Sequence, residues 1–551
     1  MQSSSRRDGE VAWVGIVAII VSAVSFFIYV SRGELLLYGD AVAHINIARR
    51  VFDSRTPGLF QLGTVWLPLP HLLMMPFLLS EWMWRTGVGG SIPSMIAFVL
   101  GGVGIFRLVR DALSFPDKPD PIARAAAWLA ALIFLLNPNL IYMQATAMTE
   151  ALYLALFVWA VVFFNEFVQR RAFPAESIEK GESQQPSRLL WSALCLAGAE
   201  LTRYDGWLAA GVMGFAALLM VLRAQSSAER RLLVKFCVVI TLAPIFWLAY
   251  NSVVYRNPLE FANGPYSAHA IEMKTAQPGA PPHPGTHNLP VAALYYLKSS
   301  QLNLAEGPLQ RVWVLIAVAA ILLMLVSARH ISSLMLLWVP LPFYMLSIAY
   351  GGVPLFMPVW WPFSHYNVRY GLQLLPAFAV SAGVVLYFLM ELLRLQRDRR
   401  LLAALFVGIV AASYAMVWRA RPLSYREALD NSVTRIALER AVADQLEMLP
   451  PGSSILMYLG DHVGALQDAG IPLRRTINEG NHRPWVQPSD PDGLWERALA
   501  DPAQHADYAL AIGNDPVALA LRGQRLRVLS VIHVSGQPQA ILYYTRGNQT
   551  R

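Results

Sequence analysis

Long apolar runs separated by short polar connections dominate the first 420 residues of the chain. The first run, Val11–Val30, is twenty residues without a charge, which is enough for a helix to cross the hydrocarbon core of a bilayer. The polar segment 31–34 follows it in place of a small-residue cleavage site, so we interpret the run as a retained helix rather than a signal peptide. Further runs lie at roughly 92–110, 122–142, 150–168, 189–201, 206–222, 236–255, 312–327, 331–350, 370–393 and 401–418. The pattern predicts an α-helical multi-pass membrane protein with about eleven transmembrane helices.

Lys and Arg concentrate in every second connection between these runs. They precede the first run and then recur around 107–124, 170–188, 223–235, 329 and 394–400. Because basic loops stay on the cytoplasmic side of a membrane, this alternation predicts a cytoplasmic N-terminus. With eleven crossings the C-terminus is then extracytoplasmic, and we expect the protein in the plasma (inner) membrane.

The remaining connections are the outer loops 31–91, 256–311 and 351–369 together with two short turns. In the first of these loops, apolar residues at helical spacing predict a short helix over Ala41–Phe52. Leu72–Trp84 is a second helical segment, too short to cross, and we expect both to lie on the outer leaflet. The Pro- and Gly-rich stretch 276–290 predicts irregular structure and a mobile lid.

Composition changes at residue 422, where charged residues return and apolar runs shorten. We therefore assign residues 1–421 to a transmembrane domain and 422–551 to a soluble extracytoplasmic domain. The elements predicted there are helix Thr434–Met448, strand Ser454–Leu459, helix His462–Ala469, strand Leu473–Ile477, helix Leu494–Leu499, strand Tyr508–Ile512, helix Pro516–Leu521 and strands Arg527–His533 and Gln539–Tyr544. Alternating helices and strands indicate a small α/β fold.

Bulk composition agrees with a membrane protein. The 551 residues are 55% hydrophobic and 15% charged, whereas soluble domains are about 25% charged. The net charge of +8 does not indicate nucleic-acid binding, because the basic residues form short clusters between apolar runs. The two cysteines, Cys195 and Cys237, lie inside apolar runs and predict neither a disulfide framework nor a metal site.

Four polar groups lie on the outer side, within or beside the predicted helices. They are Asp40 with His44, Thr149-Glu150, Arg203-Tyr204-Asp205 and Arg369-Tyr370. Each has a structural explanation by itself: a helix cap, an acidic first turn, a local Arg–Asp pair and a snorkelling arginine. Charges near membrane helices are costly and usually functional, however, and these groups share one face.

Together these groups have the chemistry to hold an anionic lipid phosphate and to activate a hydroxyl. Arginine binds phosphate bidentately, and a carboxylate can act as general base. Asp40, His44 and Glu150 could also share a divalent cation, with Mg or Mn favoured by an oxygen-rich site that does not require the histidine.

At these residues the chain resembles the GT-C superfamily of membrane glycosyltransferases, above all its protein O-mannosyltransferase and lipid A aminoarabinose transferase branches. The resemblance covers about residues 10–420 and rests on the order of four features. They are Asp40 just after the first helix, Asn137-Pro138 with Tyr142 and Met148-Thr149-Glu150, the turn Leu201-Thr-Arg-Tyr-Asp-Gly-Trp207, and Arg369-Tyr370 leading to Pro376. The first motif is Asp-x-x-x-His instead of the Asp-Glu of some branches, which leaves metal use and acceptor open.

The resemblance implies an inverting transfer of a sugar from a polyprenyl-phosphate-linked donor to an acceptor hydroxyl. Asp40 then matches the catalytic acid, with Glu150 as a second acid. For the donor phosphate we expect Arg203 and Arg369, with Lys274 and Lys298 as weaker candidates from the long outer loop. Further polar contacts are assigned to His44, Tyr204, Asp205 and Tyr370. Two alternatives remain, a membrane transporter of lipid-linked or small polar substrates and a non-enzymatic scaffold, although neither repeats nor midplane helix breaks favour transport.

Overall fold

The computed structural model shows a helical membrane domain joined to a small sheet-containing domain. It describes residues 2–114, 120–172, 185–224, 226–265, 267–268, 270, 273, 281–327, 331–460, 462–481 and 493–546. The helices up to residue 420 are α1 (Gln2–Ser31), α2 (Gly39–Arg50), α3 (Leu69–Met74), α4 (Glu81–Thr86), α5 (Val88–Leu113), α6 (Pro121–Leu135), α7 (Pro138–Gln144), α8 (Glu150–Ala172), α9 (Gln185–Glu200), α10 (Asp205–Leu222), α11 (Ser227–Tyr255), α12 (Glu260–Asn263), α13 (Leu289–Leu302), α14 (Leu309–Val326), α15 (Pro340–Tyr350), α16 (Leu375–Leu392) and α17 (Gln396–Ala420). Short 3-10 segments lie at Leu59–Leu62, Phe77–Leu79, Ile331–Trp338 and Val368–Leu374.

All eleven predicted apolar runs are helical in the structure. Among the described residues, nine helical stretches are long and apolar enough to cross a membrane. Helices α6 and α7 meet at an angle of 61° and make a tenth if they cross as one bent span. The remaining predicted crossing, 189–201, corresponds to α9, which has 16 residues. The protein is therefore a multi-pass membrane protein.

Glycines bring the central helices together. Helix α5 packs against both α6 and α8. A Cβ atom at Gly101 would lie 2.9 Å from the ring of Phe134, and one at Gly104 would lie 2.9 Å from Val158. Small residues of this kind let helix backbones approach closely. Close packing matters in a membrane, because no hydrophobic effect drives helices together inside lipid. Next to these helices lies the apolar helical stretch Val368–Leu392. Its most apolar part is 89% buried by the surrounding protein, so it runs through the interior of the membrane domain.

The connection between α1 and α5 differs from its prediction in two ways. Helix α2 forms as expected, but its polar side is covered by the soluble domain: Asn46 donates to Gln467 Oε1 over 2.7 Å and accepts from Trp84 Nε1 over 2.9 Å. The single helix predicted over Leu72–Trp84 is wrong, because α3 and α4 are separate pieces with a 3-10 turn between them. Pro76 precedes that turn and cannot donate to a continuing helix.

The soluble domain is a mixed sheet with helices. It begins with α18 (Leu423–Glu447), followed by α19 (Gly464–Ala469), α20 (Leu494–Ala500), α21 (Pro502–His505) and α22 (Pro516–Ala520). The strands are β1 (Ile455–Met457), β2 (Thr476–Ile477), β3 (Tyr508–Ile512), β4 (Arg527–Ile532) and β5 (Ala540–Tyr544). Their order is β2-β1-β3-β5-β4, parallel among the first three and antiparallel from β3 to β4. The α/β class and the strand positions are therefore as predicted, although the first helix starts eleven residues earlier, at Leu423 instead of Thr434.

Candidate active site

Arg369 lies at the centre of a cluster of acidic side chains. Arg369 is the second residue of the 3-10 segment Val368–Leu374. Asn367 precedes this segment, and its φ of 57° turns the chain into it. Its Nη2 donates to Asp40 Oδ2 over 2.5 Å, its Nε lies 3.3 Å from Glu150 Oε1, and its Nη1 donates to Glu427 Oε1 over 3.1 Å. One guanidinium therefore joins carboxylates from α2, α8 and α18.

Arg203 reaches the same cluster from the turn between α9 and α10. Its Nη1 lies 3.3 Å from Glu150 Oε1 and its Nε lies 3.3 Å from Asp205 Oδ1. Its Nη2 donates to the Tyr344 hydroxyl over 2.7 Å, and that hydroxyl donates to Asp205 Oδ2 over 3.1 Å. The local Arg203–Asp205 pair anticipated from the sequence is thus present, but Arg203 also binds outside its own turn.

The two arginines lie close together around Glu150. They share Glu150, and the ring of Tyr370 lies 5.0 Å from the Arg203 guanidinium carbon and 5.1 Å from that of Arg369. Tyr344 packs on Tyr370 with ring centroids 5.3 Å apart. The predicted Asp40, Glu150, Arg203, Asp205, Arg369 and Tyr370 therefore occupy one site.

The acids of this site differ sharply in exposure. The Asp40 side chain is 39% exposed, whereas those of Glu150, Asp205 and Glu427 are 0%, 1% and 2% exposed. Only a carboxylate that reaches solvent can meet an acceptor without rearrangement. Among these four acids, Asp40 is the one that satisfies this condition.

His44 does not join Asp40 and Glu150 around a cation. Its ring lies 2.9 Å from that of His71, nitrogen to nitrogen, and packs on Trp66. Burial, with Arg369 and Arg203 nearby, lowers the pKa of His44 to about 3. Within the described residues no group of three His, Cys, Asp or Glu side chains could hold a metal ion. The cation site suggested for Asp40, His44 and Glu150 stays a prediction that the structure does not support, because His44 pairs with another histidine and both carboxylates contact Arg369.

The other predicted polar residues have different surroundings. Tyr204 donates to the Val65 carbonyl over 3.1 Å and stacks on Phe261, so it joins the outer loops. Lys298 donates to Gln310 over 2.5 Å on a helix, α13, that packs directly against the Arg369 segment. Lys274 lies outside the described residues. The assignment of both lysines to a donor phosphate stays a prediction.

The Pro-rich stretch 276–290 is described only from residue 281 onward. In that part His283 is buried, accepts from the Gly285 amide and lies 2.9 Å from the Leu355 carbonyl. The neighbouring His287 amide donates to the Ala349 carbonyl. Residues 281–290 are thus packed against the outer end of α15 and the chain after it, so they do not form the mobile lid expected from their composition.

Two site residues were missed by the sequence interpretation. Tyr344 lies in the apolar run 331–350, and the sequence alone does not distinguish it from an aromatic residue at the membrane interface. Glu427 was assigned to the soluble domain, yet its carboxylate is buried against Arg369 and accepts from the Asn367 amide over 2.7 Å. A signal for Glu427 was available: it lies five residues after Pro422, so it is close to the membrane domain along the chain.

The whole fold is similar to known membrane glycosyltransferases. ArnT from Cupriavidus metallidurans, solved in the apo state and bound to undecaprenyl phosphate, superposes with a TM-score of 0.55 over 98% of each chain at 15% identity. The oligosaccharyltransferase AglB from Archaeoglobus fulgidus is also similar. Its apo form gives a TM-score of 0.52 at 12% identity, over 91% of this chain and 69% of that one. Its complex with an inhibitory peptide and a dolichol-phosphate gives 0.51 at 12% identity, over 92% and 70%.

The chain has the GT-C glycosyltransferase fold. The resemblance stated from the sequence motifs is therefore confirmed at the level of fold, and it extends beyond residue 420 into the soluble domain. No protein-family model matches the chain, and no curated protein matches its sequence.

Proposed function

We propose that this protein is an inverting glycosyltransferase. It moves a hexosyl or pentosyl group from a polyprenyl-phosphate-linked donor to an acceptor hydroxyl at the outer face of the membrane. The observation that carries the proposal is the difference in exposure among the acids around Arg369 and Arg203. Asp40 is partly exposed, whereas the other three acids are buried. Similarity to ArnT, which was solved with undecaprenyl phosphate, supports the donor class.

In the proposed step Asp40 accepts the proton of the acceptor hydroxyl. The acceptor oxygen forms a bond to the anomeric carbon while the bond from that carbon to the phosphate oxygen breaks. The electron pair of the broken bond leaves with the polyprenyl phosphate, and the attack from the opposite side inverts the anomeric centre. The leaving phosphate gains negative charge, which a guanidinium stabilises most where water is excluded.

Arg369 and Arg203 are the residues proposed to receive that phosphate. Arg369 is the first candidate, because its Nη2 contacts the partly exposed Asp40, so its guanidinium lies beside the proposed base. The buried Glu150 contacts both arginines through the same carboxylate oxygen and offsets part of their positive charge. Asp40 and Glu150 each place one carboxylate oxygen against Arg369, and among the described residues no group of three His, Cys, Asp or Glu side chains could hold a Mg or Mn ion, so the proposed step does not use one.

A transporter is the less favoured function. A transport pathway needs polar residues distributed along its length, whereas Arg203, Arg369 and their acids pair with one another in one cluster. The GT-C fold also favours transfer over transport, by analogy of fold.

Substitution of Asp40 tests the proposal. Purified full-length Asp40→Asn protein should fold and bind undecaprenyl phosphate, because Arg369 and Arg203 are unchanged. Transfer from synthetic undecaprenyl-phosphate pentosides and hexosides to membrane acceptors should fall by about 10²–10⁴-fold. Asp468→Asn, an exposed acid on the soluble domain, is the matched control and should behave as wild type. Near-normal turnover of Asp40→Asn would remove this residue from the chemistry.

A further inference from the structure

Helix α18 opens the soluble domain but packs into the membrane domain. The Ser424 amide donates to Asn139 Oδ1 over 2.8 Å, and the Tyr425 hydroxyl donates to Glu34 over 2.7 Å. Nearly three turns further along the helix, Arg435 donates to the carbonyls of Leu36 and Leu37 over 2.8 and 3.0 Å. The helix therefore holds the segment that leads directly into Asp40.

Glu427 connects the segment that carries Arg369 to the segment that carries Asp40. Its Oε1 accepts from Arg369 Nη1 over 3.1 Å and from the Asn367 amide over 2.7 Å. The Tyr38 hydroxyl lies within hydrogen-bond distance of two acceptors, 3.1 Å from Glu427 Oε2 and 2.7 Å from the Ser424 carbonyl, and shares its single proton between them. One carboxylate thus binds the arginine segment on one side and, on the other, a residue two positions before Asp40.

The hydrogen bond to Glu427 stabilises an unusual backbone conformation at Asn367. Its φ of 57° lies in the left-handed region, which Asn tolerates better than most residues but which remains less stable than a helical or extended conformation. The bond from the Asn367 amide to Glu427, with the bond from its side chain to the Pro354 carbonyl over 3.0 Å, fixes the turn that presents Arg369.

We propose that Glu427 is a positioning residue that sets the spacing between Asp40 and Arg369, which makes the soluble domain a required part of the active site. The inference rests on the proposed function, because the distance matters only if Asp40 and Arg369 act on one substrate. Glu427 itself is buried against Arg369, so its carboxylate has almost no surface on which a substrate could bind. A displacement of about 1 Å at a reacting centre can cost about 100-fold in rate.

Two substitutions distinguish the contacts of the Glu427 side chain from its negative charge. In Glu427→Gln, the amide oxygen can still accept from Arg369 and Asn367, and the amide nitrogen can donate to the Tyr38 oxygen, so every contact survives without the charge. In Glu427→Ala all of these contacts are lost. A positioning role therefore predicts that kcat/KM for the donor falls by about 10- to 100-fold in Glu427→Ala, with a raised KM. Glu427→Gln should remain within about 3-fold of wild type.

The experiment measures donor KM and kcat, together with undecaprenyl phosphate binding, on purified full-length variants. Glu447→Ala, an exposed acid at the end of the same helix, is the control and should match wild type. Equal loss in Glu427→Gln and Glu427→Ala, or no loss in folded Glu427→Ala, would overturn the positioning role. If Glu427→Ala does not fold, Tyr38→Phe replaces it. It breaks only the link to the Asp40 segment and should lower kcat/KM by about 10-fold, so wild-type turnover in that variant would also overturn the inference.

Failure of the proposed function would look different, because the wild-type protein would neither transfer sugar nor bind undecaprenyl phosphate. The inference about Glu427 falls with it in that case.

Discussion

Asp40 Oδ2 accepts a hydrogen bond from Arg369 Nη2 over 2.5 Å, although 329 positions separate the two residues in the sequence. The contact joins the start of an outer-loop helix to the start of a buried membrane helix. In the proposed reaction Asp40 takes a proton and Arg369 binds a phosphate, so the donor phosphate and Asp40 compete for the same guanidinium. Donor binding then frees the carboxylate for the acceptor at the moment when a base is needed.

Replacement of the arginines by lysine tests the phosphate role. Arg369 contacts three carboxylates through three different nitrogens, a geometry that a single ammonium cannot reproduce. We expect Arg369→Lys to raise the Kd for undecaprenyl phosphate by about 10-fold or more, with a smaller increase for Arg203→Lys. Arg546→Lys, an exposed arginine paired with Asp507, is the matched control. Full donor affinity and activity in both site variants would show that these arginines are not the phosphate ligands.

The histidine pair predicts how stability changes with pH. Burial lowers the pKa of His44 to about 3 and that of His71 well below its ordinary value. Between pH 3 and 6.5 the unfolded chain binds protons that folded His44 does not, so stability is fully present above pH 6.5 and falls as the pH falls. The loss approaches about 1.4 kcal/mol per pH unit for each such histidine.

Thermal unfolding of detergent-solubilised protein at pH 7.5, 6 and 5 measures this effect. His44→Gln should flatten the decline between pH 6 and 5, whereas His533→Gln, an exposed histidine on the soluble domain, should leave it unchanged. An unchanged slope in His44→Gln would mean that the ring is protonated, or accessible to protons, in the folded protein.

The sequence predicts the membrane helices and most of the site because both leave local signals. Apolar runs of spanning length need no knowledge of tertiary contacts, and Asp40, Glu150, Arg203 and Arg369 stand out because charges beside such runs are rare. That Asp40 and Glu150 meet at the Arg369 guanidinium is set by packing between distant segments, whereas the sequence predicted only that these groups share one face of the membrane.

The errors come from contacts between distant segments. Glu427 lies on a helix with ordinary polar residues, and its closeness to the membrane domain along the chain does not by itself show that its carboxylate faces Arg369 rather than water. His44 was assigned to a metal because its partner, His71, follows 27 residues later on another short helix. The Leu72–Trp84 helix failed for a local reason that could have been used, since Pro76 interrupts it.

Membrane orientation is a separate prediction from the alternating basic connections. We propose a cytoplasmic N-terminus and an extracytoplasmic soluble domain in the plasma membrane. Periplasmic-type and cytoplasmic-type reporters fused at residue 551 should therefore be active and inactive, respectively. A fusion after residue 224, in a basic connection, should give the opposite result. A cytoplasmic signal at residue 551 would place the site on the wrong face for the proposed reaction.

Gly206 explains why the turn that carries Arg203 and Asp205 is so tight. A Cβ atom at this position would lie 2.7 Å from the Ala199 carbonyl and 2.8 Å from the Glu200 amide nitrogen, both of them backbone atoms that cannot move aside. Gly206→Ala should therefore push the start of α10 away from the end of α9 and displace Asp205 from Arg203. We expect a loss of about 1–3 kcal/mol in stability and, in the protein that folds, weaker donor binding.

Gly211→Ala, five residues along the same helix, is the matched control because no atom lies within 4 Å of its added Cβ. Alanine favours a helix over glycine by about 1 kcal/mol, so this control should be neutral or slightly stabilising. Thermal unfolding and undecaprenyl phosphate binding on both variants decide the matter. If Gly206→Ala is as stable as Gly211→Ala and binds the donor lipid normally, the close packing of α9 and α10 does not position Arg203, and its side-chain contacts, such as those to Glu150 and Tyr344, hold it in the site instead.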